Sequence, residues 1–430
     1  MKRYVGIDIH KAYSIACFMD RKGKVLKTET VDTSRNNLLE FAKTKLDKQS
    51  RVAIESTTNA WGVVDILLPH IHSIVVSNPR KTKHIAEAKI KTDKVDAKAL
   101  ADLLRTNYLP EVWIPDEATR NMRRLMGRRT SLVQLKTGVK NRIHSVFHQL
   151  IIKVPKGDLF SLKNMQWLAE VELPEWGRDA VDSELRMLNC LEDELQRLDN
   201  KLAKLGYSEE RVKLLMTLPG VGVNAAITLL AAIGDIDRFS EADKAASYIG
   251  LSPSIRQSAN KCYHGPITKH GNSNARWMMI QAAQHVRNHP GPIGNFYRKL
   301  ARKKGHNIAV VAAARKLVTY AYHMLKNNEP YRYAQPKSTE TKLAALRVKA
   351  TGKKRKGGNP KGQPRHKNYG SGNPTRYECS LDELCEKEGL PTPVKFDELA
   401  TGEQKHLRAS KMVGMKRSIH VGKRVSKKRK

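Results

Sequence analysis

The chain has 430 residues, and 79 Lys and Arg against 42 Asp and Glu leave a formal net charge of +37 at pH 7. A surplus of that size excludes an ordinary metabolic enzyme and calls for an external polyanion, of which nucleic acid is the usual one and an acidic membrane surface a distant second. Hydrophobic residues make up 40% of the chain, enough for real cores, and the length suits two to four domains at roughly 100–200 residues each. No stretch approaches the roughly 20 apolar residues of a membrane span; the longest runs from Ala225 to Gly234. The opening Met1-Lys2-Arg3-Tyr4-Val5-Gly6-Ile7-Asp8 meets a charge too soon to form a signal-peptide core. A soluble cytoplasmic protein, associated with the nucleoid and not with membrane, is therefore expected. The cysteines Cys17, Cys190, Cys262, Cys379 and Cys385 are too scattered for a disulfide framework.

In chain order, Tyr4 to Ile9, Ser14 to Met19 and Val25 to Val31 read as a meander of three strands, with Arg21-Lys22-Gly23 as a hairpin turn. A helix over Asn37 to Leu46, a buried strand Val52 to Glu55, a helix near Trp61 to Leu68 and a strand Ser73 to Ser77 follow. Strands alternating with helices after a meander predict a layered α/β domain. Beyond Asn78-Pro79 helices dominate: Lys94 to Arg105, then a long one from about Ala118 to Leu150 with Leu125, Leu132, Leu135, Val139, Ile143, Val146 and Leu150 on one stripe. Leu188, Leu191, Leu195, Leu198, Leu202 and Leu205 alternate spacings of three and four, a heptad seam that predicts a coiled coil and self-association. A third, helical region over 211–330 opens with Leu218-Pro219-Gly220-Val221-Gly222. Such a turn between helices resembles a helix-hairpin-helix and presents backbone N–H groups to phosphate, although the same glycines also close a tight helix connection.

From Gln335 the composition turns to Lys, Gly, Pro, Asn and Gln, with 25 Lys and Arg against 9 Asp and Glu, less than half of the total surplus. The structured part is therefore basic too. Apart from a short helix at Leu381 to Glu388, this tail is expected to be disordered until it meets nucleic acid. The expected domains are 1–155, an α/β domain with a trailing long helix; 156–210, the coiled-coil region; 211–330, the second helical domain; and 331–430, the tail.

Four carboxylates attract attention. Asp8 sits inside the first strand, on a face with Gly6 and His10, where a lone buried carboxylate is costly without a cation or hydrogen-bond partners. Glu55 ends an apolar strand, and strand ends in open α/β sheets are where ligands bind. Asp93 and Asp96, three apart at the start of a helix, share one face. Each alone has a bland explanation: acids in a first helical turn complement the dipole, and a strand-end Glu is often merely solvated. Together their order matches the ribonuclease H-like nuclease fold, in which converging carboxylates hold two Mg²⁺ ions for phosphoryl transfer. A strongly basic protein that approaches phosphate has reason to gather four acids only if metal neutralises them.

The motifs Gly6-Ile7-Asp8-Ile9-His10-Lys11, Ile54-Glu55-Ser56-Thr57 and Thr92-Asp93-Lys94-Val95-Asp96-Ala97 are similar to those of the DEDD transposases of bacterial insertion sequences, relatives of the Piv-type DNA invertases. The resemblance continues through Leu218 to Gly222, Gly250-Leu251-Ser252-Pro253, Gly265-Pro266-Ile267-Thr268-Lys269-His270-Gly271-Asn272 and Arg276. It spans about Arg3 to Leu325. What it implies is a RuvC-like domain with metal-binding Asp8, Glu55, Asp93 and Asp96, two Mg²⁺ ions, a coiled coil and a second domain carrying a serine nucleophile. Ser258, in Arg256-Gln257-Ser258-Ala259-Asn260-Lys261, matches that serine, with Ser252 and Ser254 as weaker candidates because Ala259-Asn260 stands where the family has two glycines. From residues alone Ser258 is unremarkable, since serines in polar loops are usually turn formers. Some members are bridge-RNA-guided recombinases, so donor and target DNA, a structured guide RNA and a dimer or tetramer are implied partners.

Lys261, Lys269, His270 and Arg276 near the serine, Arg80, Lys81 and Lys83 after the last strand, Lys11, and Arg123, Arg124, Arg128 and Arg129 on the long helix are expected phosphate contacts. With 6% aromatic residues, base stacking is not the evident mode of recognition. Two other readings stand beside the recombinase: a structure-specific nuclease using only the carboxylates and water, and a non-catalytic nucleic-acid-binding relic.

Overall fold

The computed structural model describes residues 3–85, 92–258, 261–352 and 380–409. The chain divides into two compact units, Met1–Asp116 and Glu117–Lys430. The first is a mixed α/β domain compatible with a RuvC-like fold. Its sheet has the order β3-β2-β1-β4-β5-β6. Strands β1 (Arg3–Ile9), β2 (Tyr13–Met19) and β3 (Val25–Asp32) form the antiparallel meander. Helix α1 (Arg35–Lys45) leads to β4 (Ser50–Glu55), parallel to β1, and α2 (Ala60–Leu67) leads to β5 (Ser73–Ser77), parallel to β4. Helices α3 (Pro79–Ile85) and α4 (Asp93–Arg105) follow, and the two-residue β6 (Glu111–Val112) closes the edge antiparallel to β5. Sequence periodicity misses β6 because two residues carry no alternation.

Alternation along β1 sorts its two faces. Val5, Ile7 and Ile9 bury against Phe18, Val52, Ile54 and the apolar sides of α1 and α2, through Leu38, Phe41, Val64 and Leu67. Tyr4 faces the other way, into a cluster with Met19, Ala53, Leu100, Ala101 and Leu104 that seats α4 on the sheet. Gly6 lies on this second face, and a Cβ added there would stand 2.1 Å from the Ala97 carbonyl oxygen and 2.5 Å from the Ala101 nitrogen. The missing side chain thus lets the helix backbone come down onto the strand.

The second unit is mostly helical. It contains α5 (Glu117–Gln149), α6 (Leu162–Glu170), α7 (Glu175–Ser208), α8 (Glu210–Leu215), α9 (Val223–Ile233) and α10 (Ala242–Ile249). A two-stranded antiparallel ribbon interrupts them, β7 (Pro253–Ser258) with β8 (Lys261–Ile267). Then come α11 (Ser273–Gln284), α12 (Pro292–Lys304), α13 (His306–Asn327), α14 (Pro336–Thr351), α15 (Leu381–Glu388) and α16 (Thr401–Ala409). The apolar α9, from Ala225 to Ile233, is buried among α11, α13 and their neighbours rather than lipid-facing. No described helix is long and apolar enough to cross a membrane.

Several expectations need correction. The long helix α5 packs within the second compact unit: Val139, Ile143 and Phe147 pack with Val181 and Leu188 of α7, and Met122 and Met126 with Leu198 and Leu202. Leu135, placed on its apolar stripe, is 57% exposed. The heptad seam is used within the chain, because α7 lies on α5 and the buried Leu188, Leu198 and Leu202 meet its own core. Residues 211–330 are not wholly helical, since the β7–β8 ribbon lies among them; it is exposed on both faces and so shows no apolar alternation.

The tail is likewise ordered where described. In α14, Leu343 and Leu346 bury in the helical core beside Leu381, Cys385 and Leu390, and Lys349 reaches Asp199 of α7 at 3.5 Å. The lysine runs at 353–356 and 427–430 lie outside the described residues. Ser380 caps α15 in a full capping box with Glu383, which explains why that short helix was legible.

Replacement of Gly6 by Val drives a branched side chain into the backbone of α4. We expect a loss of about 3 kcal/mol in stability, seen as a lowered melting temperature by circular dichroism, and a correspondingly small effect for Gly62→Ala, where nothing lies within 4 Å of an added Cβ.

Candidate active site

Register brings the first two acids together. Gly6 pairs with Ala53 and Ile7 with Ile54 across the parallel β1–β4 pair, so the next step sets Asp8 beside Glu55 at the carboxyl ends of both strands, on the face that α4 covers. Helix α4 begins there: Thr92 caps it by accepting from the Val95 N–H, and Asp93 and Asp96 occupy its first turn. Orphan N–H groups and the helix dipole favour negative charge at that end. A helix start aimed at the strand end thus brings Asp93 and Asp96 to Asp8, while strand pairing places Glu55 at the end of the neighbouring strand.

Two further side chains join them. His10 Nε2 lies 3.0 Å from Asp8 Oδ2 and 3.3 Å from Asp93 Oδ2. The Tyr13 hydroxyl donates to Asp93 Oδ2 at 2.8 Å. One ligand atom each from Asp8, His10 and Asp93 lie within 4.8 Å of one another, a spacing suited to a metal ion. The Asp8 side chain is only 16% exposed. Burial pushes its carboxyl above the ordinary range; nearby His10 opposes that shift, while Asp96 and Asp93 add to it. Ionised Asp8 is thus at odds with its surroundings until a cation enters, and the donor set of oxygens with one imidazole suits a divalent ion. Sequence reasoning placed His10 on the face of Asp8 but gave it no role, and it did not single out Tyr13. The alternation of β1 was the available signal for the first; only the β1–β2 fold-back reveals the second.

In the other unit, Ser258 is the exposed last residue of β7, opposite Lys261 of β8. Residues 259 and 260, where the chain departs from the family pattern, lie outside the described residues. The other two serines are engaged locally: Ser254 Oγ donates to the Pro266 carbonyl at 3.1 Å, and Ser252 Oγ accepts from Ser247 Oγ at 2.7 Å. The Leu218–Gly222 turn joins α8 to α9. Gly220 there has φ +72° and faces the Ala282 carbonyl of α11, 2.1 Å from where a Cβ would sit, while Lys342 Nζ donates to the Leu218 and Val221 carbonyls at 2.8 and 3.1 Å. Packing therefore accounts for that glycine.

The expected phosphate contacts divide into two groups. Lys11, Arg80, Lys81, Lys83, Lys261, Lys269 and His270 are exposed. The remaining arginines also make contacts within the chain, Arg124 and Arg128 while largely exposed. Arg123 donates to the carbonyls of Ala231 and Ala232, Arg124 pairs with Glu117, Arg128 with Glu194, and Arg276 holds the Ile249 carbonyl. Arg129 meets Asp199 at 2.7 Å with both side chains about four-fifths buried. Burial alone raises the Asp199 carboxyl, but the hydrogen bond and charge of Arg129, with Lys349, hold it below its ordinary value. A basic helix looks the same in sequence whether its charges meet phosphates or a neighbouring acidic helix.

An acidic cluster at the strand ends of an α/β domain, in a strongly basic chain, defines an enzyme class that works on nucleic acid. Comparison with known proteins fixes the class as DNA transposases. Two transposase family models match, the DEDD type of IS110 over residues 5–152 and the "Transposase IS116/IS110/IS902 family" over residues 212–298. The chain is 25% identical to the "Transposase for insertion sequence element IS1111A" of Coxiella burnetii, over 77% of this chain and 91% of that protein. It is 26% identical to the "Pilin gene-inverting protein" of Moraxella lacunata, over 77% and 98%, and 23% identical to the "Insertion element IS116 uncharacterized 44.8 kDa protein" of Streptomyces clavuligerus, over 77% and 97%. The chain belongs to the IS110 family of insertion-sequence transposases, and DNA is its partner.

Two outcomes follow. A group whose folded pKa is raised contributes stability at low pH that is lost as pH rises through that pKa, so ionised Asp8 opposes folding at neutral pH. Asp8→Asn is expected to stabilise the metal-free protein at pH 7 by about 1 kcal/mol, with the advantage fading as the pH falls and Asp8 takes up its proton; thermal melts across pH read this. Arg129→Ala is expected to lower the melting temperature while leaving the salt dependence of DNA binding unchanged, whereas loss of a true phosphate contact reduces the slope of log K against log salt by about 0.9.

Proposed function

We propose that this transposase cuts and rejoins DNA through a 5′-phosphoserine intermediate, with Ser258 as nucleophile and a RuvC-like domain whose Asp8, Glu55, Asp93 and Asp96 hold two Mg²⁺ ions. The observation that carries the reading is the pairing of exposures: Ser258 stands exposed at the end of a ribbon while Ser252 and Ser254 are tied into local hydrogen bonds. The family's conserved chemistry, as the resemblance implies it, needs one reachable hydroxyl, and this is the one the ribbon offers.

In the proposed step the Ser258 Oγ–P bond forms and the P–O3′ bond breaks, and the serine proton ends on the departing 3′ oxygen. The phosphoserine keeps the bond energy, so a second 3′-hydroxyl reverses the step and rejoins DNA without ATP. Bound divalent metal supplies charge neutralisation and polarisation of the phosphodiester. Lys261, opposite Ser258 in the ribbon, and the exposed Lys269 and His270 offer cationic groups to the flanking phosphates. Exposed Lys11, Arg80, Lys81 and Lys83 do the same in the α/β domain. Donor and target DNA are held by backbone contacts of this kind, and a structured guide RNA supplies sequence by base pairing, in keeping with the low aromatic content. The active form is a dimer or tetramer.

Ser258→Ala is expected to abolish the covalent protein–DNA adduct, detected as a slower-migrating species on a denaturing gel, with DNA binding retained. Retained cleavage in that variant would mean a water-using nuclease; binding without cutting by the unaltered protein, with Mg²⁺ or with chelator, would mean a relic. For the guide, the chain is to be expressed with its flanking DNA, purified at high salt, and its bound RNA sequenced. One structured species from the flanks is the expected result, and a heterogeneous cellular mixture counts against guidance.

A further inference from the structure

The four-carboxylate reading leaves His10 unused, although it is the side chain that links Asp8 to Asp93. The same nitrogen, Nε2, faces both acids, at 3.0 Å from Asp8 Oδ2 and 3.3 Å from Asp93 Oδ2. In an octahedral site with bonds of roughly 2.1 Å, neighbouring ligand atoms are about 3 Å apart. Both separations therefore match edges of one coordination octahedron. The imidazole is placed by more than these acids: its ring lies 5.1 Å from that of Tyr13, centroid to centroid, and the Tyr13 hydroxyl fixes the very Asp93 oxygen that Nε2 faces. Packing does not demand the position, because the His10 side chain is 38% exposed.

We propose that His10 is a direct ligand, through Nε2, of the divalent ion held by Asp8 and Asp93, so that this transposase has a mixed nitrogen and oxygen centre in place of an all-carboxylate one. The inference rests on the metal-dependent reading above. A neutral imidazole with its proton on Nδ1 presents the Nε2 lone pair to the ion. Such a donor favours first-row transition ions over Mg²⁺, because imidazole suits them better than it suits a hard cation. The competing role is a positioning one, in which His10 hydrogen-bonds Asp8 and never touches the ion.

The full chain, loaded with Mn²⁺ at sub-stoichiometric concentration, is to be compared by pulsed electron paramagnetic resonance with the same protein made with ¹⁵N-histidine. We expect a nitrogen hyperfine coupling that changes with the isotope and disappears in His10→Ala, together with a roughly tenfold weaker Mn²⁺ affinity in that variant and a smaller loss for Mg²⁺. The isotope comparison uses the unaltered sequence, so it does not depend on the variant folding. Mn²⁺ binding that Asp8→Asn abolishes, without any histidine nitrogen coupling, would overturn the proposal and leave the carboxylate site standing. Failure to find any Asp8-dependent Mn²⁺ binding would overturn both.

Discussion

The acidic site depends on how closely helix α4 approaches strand β1. At Gly6 the helix backbone occupies the space where any side chain would begin, and two residues further along the same face comes Asp8. A helix held that near, and starting at Asp93, delivers its first-turn acids to the strand end without help from a loop. The parallel pairing of β1 with β4 adds Glu55 at the same level. Burial raises the Asp8 carboxyl, and the nearby Asp96 and Asp93 add to that shift. The helix N-terminus and the His10 and Tyr13 contacts relieve part of that conflict, and the remainder is a standing demand for a cation. Stability given up at such a place is characteristic of functional sites.

The two units use charge differently. In the α/β domain, acids are gathered on one spot. In the helical unit, acids on α7 are matched one by one to bases on α5, as in the pairs of Arg128 with Glu194, Arg129 with Asp199 and Lys136 with Glu192. Each such pair uses one acid and one base, so the surplus of +37 is untouched by them, and exposed cations stand on α3, near β1, on the β7–β8 ribbon and at the end of α12. The exposed pairs in the α5–α7 set add little stability, whereas the largely buried Arg129–Asp199 pair, reinforced by Lys349, ties α14 to the helical pair as well.

Much of the α/β domain was legible because its residues obey simple periods. Val5, Ile7 and Ile9 of β1 are apolar and buried, the positions between carry Tyr4, Gly6 and Asp8, and the capping Thr92 announces α4 just before its acids. The ribbon bearing Ser258 was illegible for the opposite reason: a strand pair exposed on both faces shows no alternation. Helix α14 was hidden in a Lys-rich tail because its anchoring rests chiefly on Leu343 and Leu346. The heptad leucines of α7 do not say whether their partner is another chain or the upstream helix α5, against which Leu188, Leu198 and Leu202 are buried.

The sequence by itself determined the class of protein, a strongly basic chain whose ordered motifs place it among insertion-sequence transposases. It also determined most helices and strands, since hydrophobic period and caps are local properties. Tertiary structure alone decided which charges are available, because an arginine facing a phosphate and one facing Asp199 have the same neighbours in the chain. Tertiary structure also decided that His10 bridges Asp8 and Asp93, two residues separated by most of the domain's length, for that contact exists only once the sheet register and the close approach at Gly6 have brought strand end and helix start together.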